Sequence, residues 1–169
     1  MSYCKYCNQL PKENLHRIYH DTEYGMKPST DDALFGRLIL EINQAGLSWN
    51  TILNKSNSIK AAYFDFEIQK IAQLENEDID ALMQNAGIIR HRGKINAIVY
   101  NAKIIIEIQE ENGSFDQWLT KNAQNTLDES LKVFKKKFKF VGKEIVKEFL
   151  MNTGYLSGAH DLDCRLFLN

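Results

Sequence analysis

The chain has 169 residues, 44% of them hydrophobic, with a formal net charge of −1. That length suits one compact domain whose core stands without disulfides, and three cysteines, an odd count, cannot form a disulfide framework. No apolar run approaches a membrane span and the polar first ten residues do not resemble a signal peptide, so the expectation is a cytoplasmic protein with no membrane partner and thiols free for metal. The near-neutral total hides an uneven distribution. Segment 65–80 is acidic, while "RHRGK" at 90–94 and "KVFKKKFKFVGKEIVK" at 132–147 are basic, so a polyanion remains a possible partner.

The first element of interest is "CKYC", Cys4 and Cys7. Such a pair reads as half a zinc site, a redox dithiol or a coincidence. The dithiol needs a βαβ context, and no strand pairing is visible here. From residue 29 onward the periodicity is helical nearly throughout. "STDDALFGRLILEINQAG" opens on the cap candidates Ser29 and Thr30, carries Asp31 and Asp32 in its first turn and stops at Gly46. Ser48 caps a second helix. "DFEIQKIAQL" and "NEDIDALMQNAG" predict two short helices, the latter with Asn76 as cap and Gly87 as stop. "GKINAIVYNAKIIIEIQEENG" predicts a long helix to Gly113. Thr126 and Glu129 form a capping box for the next, and the last full helix stops at Gly154. The fold class is therefore all-α, one continuous domain over 1–169, with its two ends able to meet.

Three stretches carry chemistry. Cys4, Cys7, His20, His160 and Cys164 are five possible metal ligands, and His160 and Cys164, four apart, share a helical face. A Cys₂His₂ site among them would clip the N-terminal segment 1–25 to the C-terminal segment 155–169. Residues 82–98 read as helix, Gly-flanked turn, helix. Gly87 and Gly93 allow backbone conformations other residues resist, and the turn offers amides and Arg90, Arg92 and Lys94 to a phosphate. The plain alternative is an ordinary helical corner with solvated basic residues. In "LEINQAGLSW", Glu41 lies inside an apolar helix ahead of Trp49. Pattern alone makes it an exposed acid beside a core tryptophan; a pocket for a planar ring is the other reading. The lysine cluster at 135–139 reads as a solvated helix face.

Taken together, "YHDTEYG" at 19–25, "LEINQAGLSW" at 40–49, "AGIIRHRGKI" at 86–95, "FKFVG" at 138–142 and the closing "AHDLDC" resemble the 3-methyladenine DNA glycosylase I (Tag) family in its own order over nearly the whole chain. The resemblance implies an all-α helix-hairpin-helix DNA glycosylase fold with a zinc clip, and a monofunctional base-excision repair enzyme. That enzyme flips 3-methyladenine out of double-stranded alkylated DNA and hydrolyses its N-glycosidic bond. It implies a base pocket of Glu41, Tyr19 and Trp49, with Glu41 carrying the catalytic role. The DNA grip falls on Gly87, Ile88, Arg90, Arg92, Gly93 and Lys94. The structural Zn2+ is held by Cys7, His20, His160 and Cys164, because the family's zinc cysteine precedes its histidine by thirteen positions. Cys4 is then spare. It further implies a monomer, cytoplasmic and bacterial-type, associated with the nucleoid through DNA.

The chain departs from the family at several points. His16 stands where tyrosine is common, Tyr24 where tryptophan is usual, and Lys143 where proline or threonine is usual. Gln9 stands where an aromatic follows the zinc cysteine by two. The segment between Trp118 and Phe138 is short. After Gly93 no acid occurs until Glu107, which fits the family's lack of a post-hairpin aspartate. Two other readings stand beside it: a non-catalytic helix-hairpin-helix DNA-binding protein with a zinc site, and a zinc or redox protein unrelated to DNA.

Overall fold

Helix α3 (Asp31–Gln44) is the member around which the others pack. In the computed structural model, which describes residues 1–123 and 126–167, it follows α1 (Tyr3–Asn8) and α2 (Leu15–Thr22). After it come α4 (Trp49–Ala62), a three-residue turn (Phe64–Phe66), α5 (Ile68–Ala72) and α6 (Asn76–Gln84). Then follow α7 (Arg92–Asn112), α8 (Phe115–Asn122), α9 (Leu127–Lys137) and α10 (Lys143–Asn152). There is no strand among the described residues, in keeping with the all-α expectation. Positions 168 and 169 of the C-terminal segment lie outside those residues.

The caps explain most boundaries. Thr30 Oγ1 accepts from the Ala33 amide and Ser48 Oγ from that of Thr51, so α3 and α4 begin where the sequence predicts. Thr126 and Glu129 close the capping box of α9. Gly113, at φ 89°, ends α7. Three short helices, α1, α2 and α8, are not apparent in the periodicity, since none is longer than 8 residues. The third rests on tertiary caps: Asp31 accepts from the amides of Phe115 (2.8 Å) and Asp116 (3.0 Å), so one carboxylate serves α3 and α8 at once.

The helix expected over "DFEIQKIAQL" is cut short. Phe64, Asp65 and Phe66 all have left-handed φ values, 52°, 55° and 68°, and helical structure resumes only at Ile68, whose amide donates to Asp32. Consecutive left-handed residues with side chains are costly. The turn is held because Phe66 packs on Gly36 of α3, where an added Cβ would lie 2.3 Å from the ring.

Packing against α3 from several sides are α4, α5, α7, α8 and α10. Leu34, Phe35, Leu38, Ile39 and Ile42 are buried on it, and so is Glu41, at 4% exposure. The exposed-acid reading of Glu41 fails for this reason: a helix covered on so many sides has little polar face left. Within the same core an aromatic group, Phe115, Trp118, Phe134, Phe138 and Phe149, ties α8, α9 and α10 together through ring contacts of 5.5–6.4 Å.

Candidate functional site

Glu41, Tyr19 and Trp49 line one cavity of about 310 Å³, with Tyr3, Tyr24, Gln44 and Glu148. Tyr19 and Trp49 meet at 5.1 Å between ring centroids and Tyr24 lies 5.9 Å from Tyr19. The aromatic walls come from α1, α2, the segment after it, and the first residue of α4. Glu41 reaches the cavity from α3. Its Oε1 accepts from Asn152 Nδ2 on α10 at 2.6 Å. Burial pushes the Glu41 carboxyl up to about 8 and the nearby Glu148 adds to this, while the Asn152 hydrogen bond and the Arg37 charge oppose it. Arg37 is the cation that acts on it. Its guanidinium lies over the Tyr19 ring, 5.5 Å from the centroid, and pairs with Glu23 at 3.0 Å. Burial keeps the Tyr19 and Tyr24 phenols protonated, so both act as donors.

The sequence reading did not single out Gln44, Glu148, Asn152 or Arg37. Helical spacing offers one clue: Glu148 and Asn152 are four apart, on the same face of α10. His16, the departure from tyrosine, hydrogen-bonds the Tyr3 hydroxyl at 3.2 Å and so steadies a pocket wall.

The turn between α6 and α7 has a different anatomy from the one expected. Neither Gly87 nor Gly93 takes a left-handed φ. What Gly87 allows is close approach: a Cβ there would lie 3.0 Å from Ser58 Cβ. Ile88 is buried and pins the turn to the core, whereas Arg90 and Arg92 are exposed, Arg92 paired with Asp80. The amides of Ile89, Arg90, Arg92 and Gly93 have no partner among the described residues, and they sit at the positive end of the 21-residue α7. His91 caps that helix through its Nδ1, 3.2 Å from the Lys94 amide.

Lys94 corrects the expectation. Its side chain is 3% exposed and its ammonium donates to the carbonyls of Asn43 (2.8 Å) and Ala45 (2.6 Å). It closes the C-terminal end of α3 and does not face a phosphate. A lysine four-carbon stem that can lie along a core surface finds its best acceptors in the orphan carbonyls of a helix end.

The ends of the chain do meet, with a corrected set of residues. Cys4, His20, His160 and Cys164 gather with one ligand atom each, all within 4.8 Å of one another. Cys4 Sγ is 3.5 Å from His160 Nδ1. Cys164 Sγ is 3.8 Å from His20 Nε2 and 3.7 Å from His160 Nδ1. These are near the edges of about 3.5 Å that a zinc tetrahedron with N and S ligands requires. The other ring nitrogens are engaged: His20 Nδ1 with Asp21 at 2.8 Å and His160 Nε2 with the Tyr24 carbonyl at 2.9 Å. Those bonds put the proton on the outward nitrogen and leave a lone pair facing the cluster.

Cys7, expected as a ligand by counting back from His20, is outside this group. Its Sγ donates to the His16 carbonyl at 3.5 Å. The count fails because three more residues separate α1 from α2 than the thirteen-position spacing assumes. With Cys4 in the cluster, the aromatic two places on is Tyr6, so that departure disappears.

A family model described as methyladenine glycosylase matches residues 9–133. The chain belongs to the methyladenine glycosylase family. DNA-3-methyladenine glycosylase 1 of Escherichia coli (strain K12) is 32% identical to it over 94% of both chains. A solved structure of 3-methyladenine DNA glycosylase I from Staphylococcus aureus superimposes with a TM-score of 0.85 at 33% identity, covering 97% of each chain. A structure of a Tyr-to-Phe variant of 3-methyladenine DNA glycosylase I in complex with 3-methyladenine gives 0.87 at 33% identity, covering 98% of this chain and 97% of that one. Among the described residues no helix is long and apolar enough to cross a membrane.

Proposed function

We infer that this protein is a DNA-3-methyladenine glycosylase of base-excision repair, hydrolysing the N-glycosidic bond of 3-methyladenine in alkylated DNA. The observation that carries this is the cavity in which a buried carboxylate, Glu41, faces aromatic walls from Tyr19, Trp49 and Tyr24. Methylation at N3 leaves adenine cationic within DNA and already a good leaving group. Cleavage of the bond from C1′ returns its electron pair to the purine, which departs neutral, while water supplies the hydroxyl left on C1′ and releases a proton.

Glu41 acts on the cation. With no base present its carboxyl is largely protonated at neutral pH, because burial and Glu148 disfavour its charge. An arriving cation reverses that balance, so base entry expels a proton and leaves an ion pair in a site of low dielectric. Trp49 offers a face for stacking and Tyr19 a hydrogen bond at the ring edge. A neutral, undamaged base gains no such ion pair, and flipping it costs more because its stacking and pairing are intact.

The exposed Arg90 and Arg92, and the free amides about Gly93, grip the phosphates of duplex DNA; Gly87 and Ile88 fix the turn that presents them. Cys4, His20, His160 and Cys164 hold one structural Zn2+, with Asp21 orienting His20. Zinc there supplies a cross-link between the two ends of the chain and takes no part in the reaction. One chain completes both sites, so the protein works as a monomer, in the cytoplasm, on the nucleoid.

The deciding experiment is incubation with alkylated duplex DNA and chromatographic separation of released bases. Release of 3-methyladenine above a buffer blank is expected, and none from intact protein would overturn the assignment.

A further inference from the structure

The base cavity opens beside a second hollow of about 440 Å³, lined by Gln44, Gly46, Leu47, Lys143, Ile145 and Glu148 among others. The two hollows have only Gln44 and Glu148 in common, which places these side chains at the mouth between them. Beyond that mouth lie the loop after α3, with Gly46 and Leu47, and the start of α10, with Lys143. The loop after α3 that forms one wall of the second hollow receives the Lys94 ammonium on its Ala45 carbonyl. The loop before α10 leans on the same corner, with the Phe140 ring 5.9 Å from that of His91. The phosphate-gripping turn, the loop after α3 and the start of α10 thus stand together around one opening.

A base seated against Glu41 inside the cavity keeps its bond to the sugar at the mouth, because the sugar remains joined to the DNA outside. We propose that Glu148 is a further catalytic residue, the carboxylate that faces the sugar C1′ of the flipped nucleotide and receives the proton of the attacking water. This rests on the glycosylase reading above. The step balances without another reactant: water oxygen bonds to C1′, the bond to the base breaks toward the cationic purine, and the water proton passes to Glu148 and on to solvent. Glu148 is half-buried one and a half turns into α10, four residues before Asn152, so a single helix supplies both the group that orients Glu41 and the group that meets the sugar. It supplies a carboxylate in a chain with no acid between Gly93 and Glu107. Its surroundings suit a base: burial and the like-charged Glu144 push its carboxyl up, and Lys147, 4.0 Å away, restrains the rise. Glu41, Tyr3, Tyr19 and Tyr24 line the base cavity with it, and Lys143 and Glu144 line the second hollow with it.

The test compares wild type, Glu148→Gln and Glu148→Asp in single-turnover excision on alkylated duplex DNA across pH, with binding of free 3-methyladenine measured beside it. Glu148→Gln should lower excision on the order of a hundredfold while free-base affinity stays within about threefold of wild type. It should also remove one ionisation from the acid side of the rate profile, and Glu148→Asp should recover much of the rate. Excision by Glu148→Gln at the wild-type rate overturns the proposal. So does an equal loss of base binding and excision, which would mean that Glu148 acts only through Glu41. Wild type that releases no base overturns the glycosylase reading itself, a distinct outcome.

Discussion

Asn152 on α10 donates a 2.6 Å hydrogen bond to Glu41 on α3, joining residues 111 positions apart. The bond favours the ionised carboxylate against burial and against Glu148. Replacing Asn152 by alanine should therefore raise the pH at which Glu41 ionises above its value of about 8. If that rise is about one pH unit, excision at pH 7 falls roughly tenfold and recovers as pH increases. A pH–rate profile of Asn152→Ala against wild type checks this, and a uniform loss at every pH would contradict it.

Glu41 carries a cost for the fold. In the unfolded chain it ionises near 4.5 and in the folded protein near 8, so folding takes up a proton between those values. Its contribution to stability falls as pH rises through that window and levels off above it. Glu41→Gln should melt higher than wild type at pH 8.5, by the equivalent of roughly 4–5 kcal/mol. The gain should shrink toward pH 5 and disappear below 4.5, while base binding is lost. Thermal melts at three pH values test the sign.

The two cysteines of "CKYC" should separate cleanly. Cys4→Ser removes a cluster ligand and should lower bound zinc well below one per chain, with a stability loss of about 3 kcal/mol, or roughly 10 °C in Tm. Cys7→Ser removes only a thiol bonded to the His16 carbonyl and should keep its metal. Elemental analysis and melting of both variants decide the matter, and equal losses would put Cys7 back in the site.

Lys94 and Arg90 are predicted to fail in different ways. Lys94→Met strands the carbonyls of Asn43 and Ala45 and should cost about 1–3 kcal/mol of stability, with little effect on the salt dependence of DNA binding. Arg90→Ala should leave stability within about 0.5 kcal/mol and reduce the slope of log affinity against log salt by about one. DNA titrations at several salt concentrations, beside denaturant melts, distinguish the two.

The sequence carries the parts of this fold that local chemistry decides. Thr30, Ser48 and the Thr126–Glu129 box mark helix starts, and Gly113 a stop, since each acts within one turn. Where a neighbour in space decides, the sequence is mute. The Phe64–Phe66 turn depends on Gly36 across a helix contact, and α8 depends on a carboxylate from α3. Lys94 shows the same limit at the site: a lysine beside two arginines looks like a third phosphate ligand until the end of α3 is placed under it. Glu41, Tyr19 and Trp49 were legible only through the family's motif order, because periodicity alone would have put Glu41 in solvent. Glu148 and Asn152 come to the pocket by the docking of α10 on α3, which no local pattern in either helix announces.

The junction of the two ends also fixes when the enzyme can first work. Tyr3, a wall of the base pocket, is the immediate neighbour of Cys4, whose companions in the cluster are His20, His160 and Cys164. On the ribosome, α1 can dock on α2 early, but the cluster that pins it cannot close until residues 160–164 have been made. The Tyr3 wall of the cavity is thus pinned last, whatever the order in which the interior helices condense. The turn between α6 and α7 is made well before that wall is pinned, so turn and cavity mature at different times during synthesis.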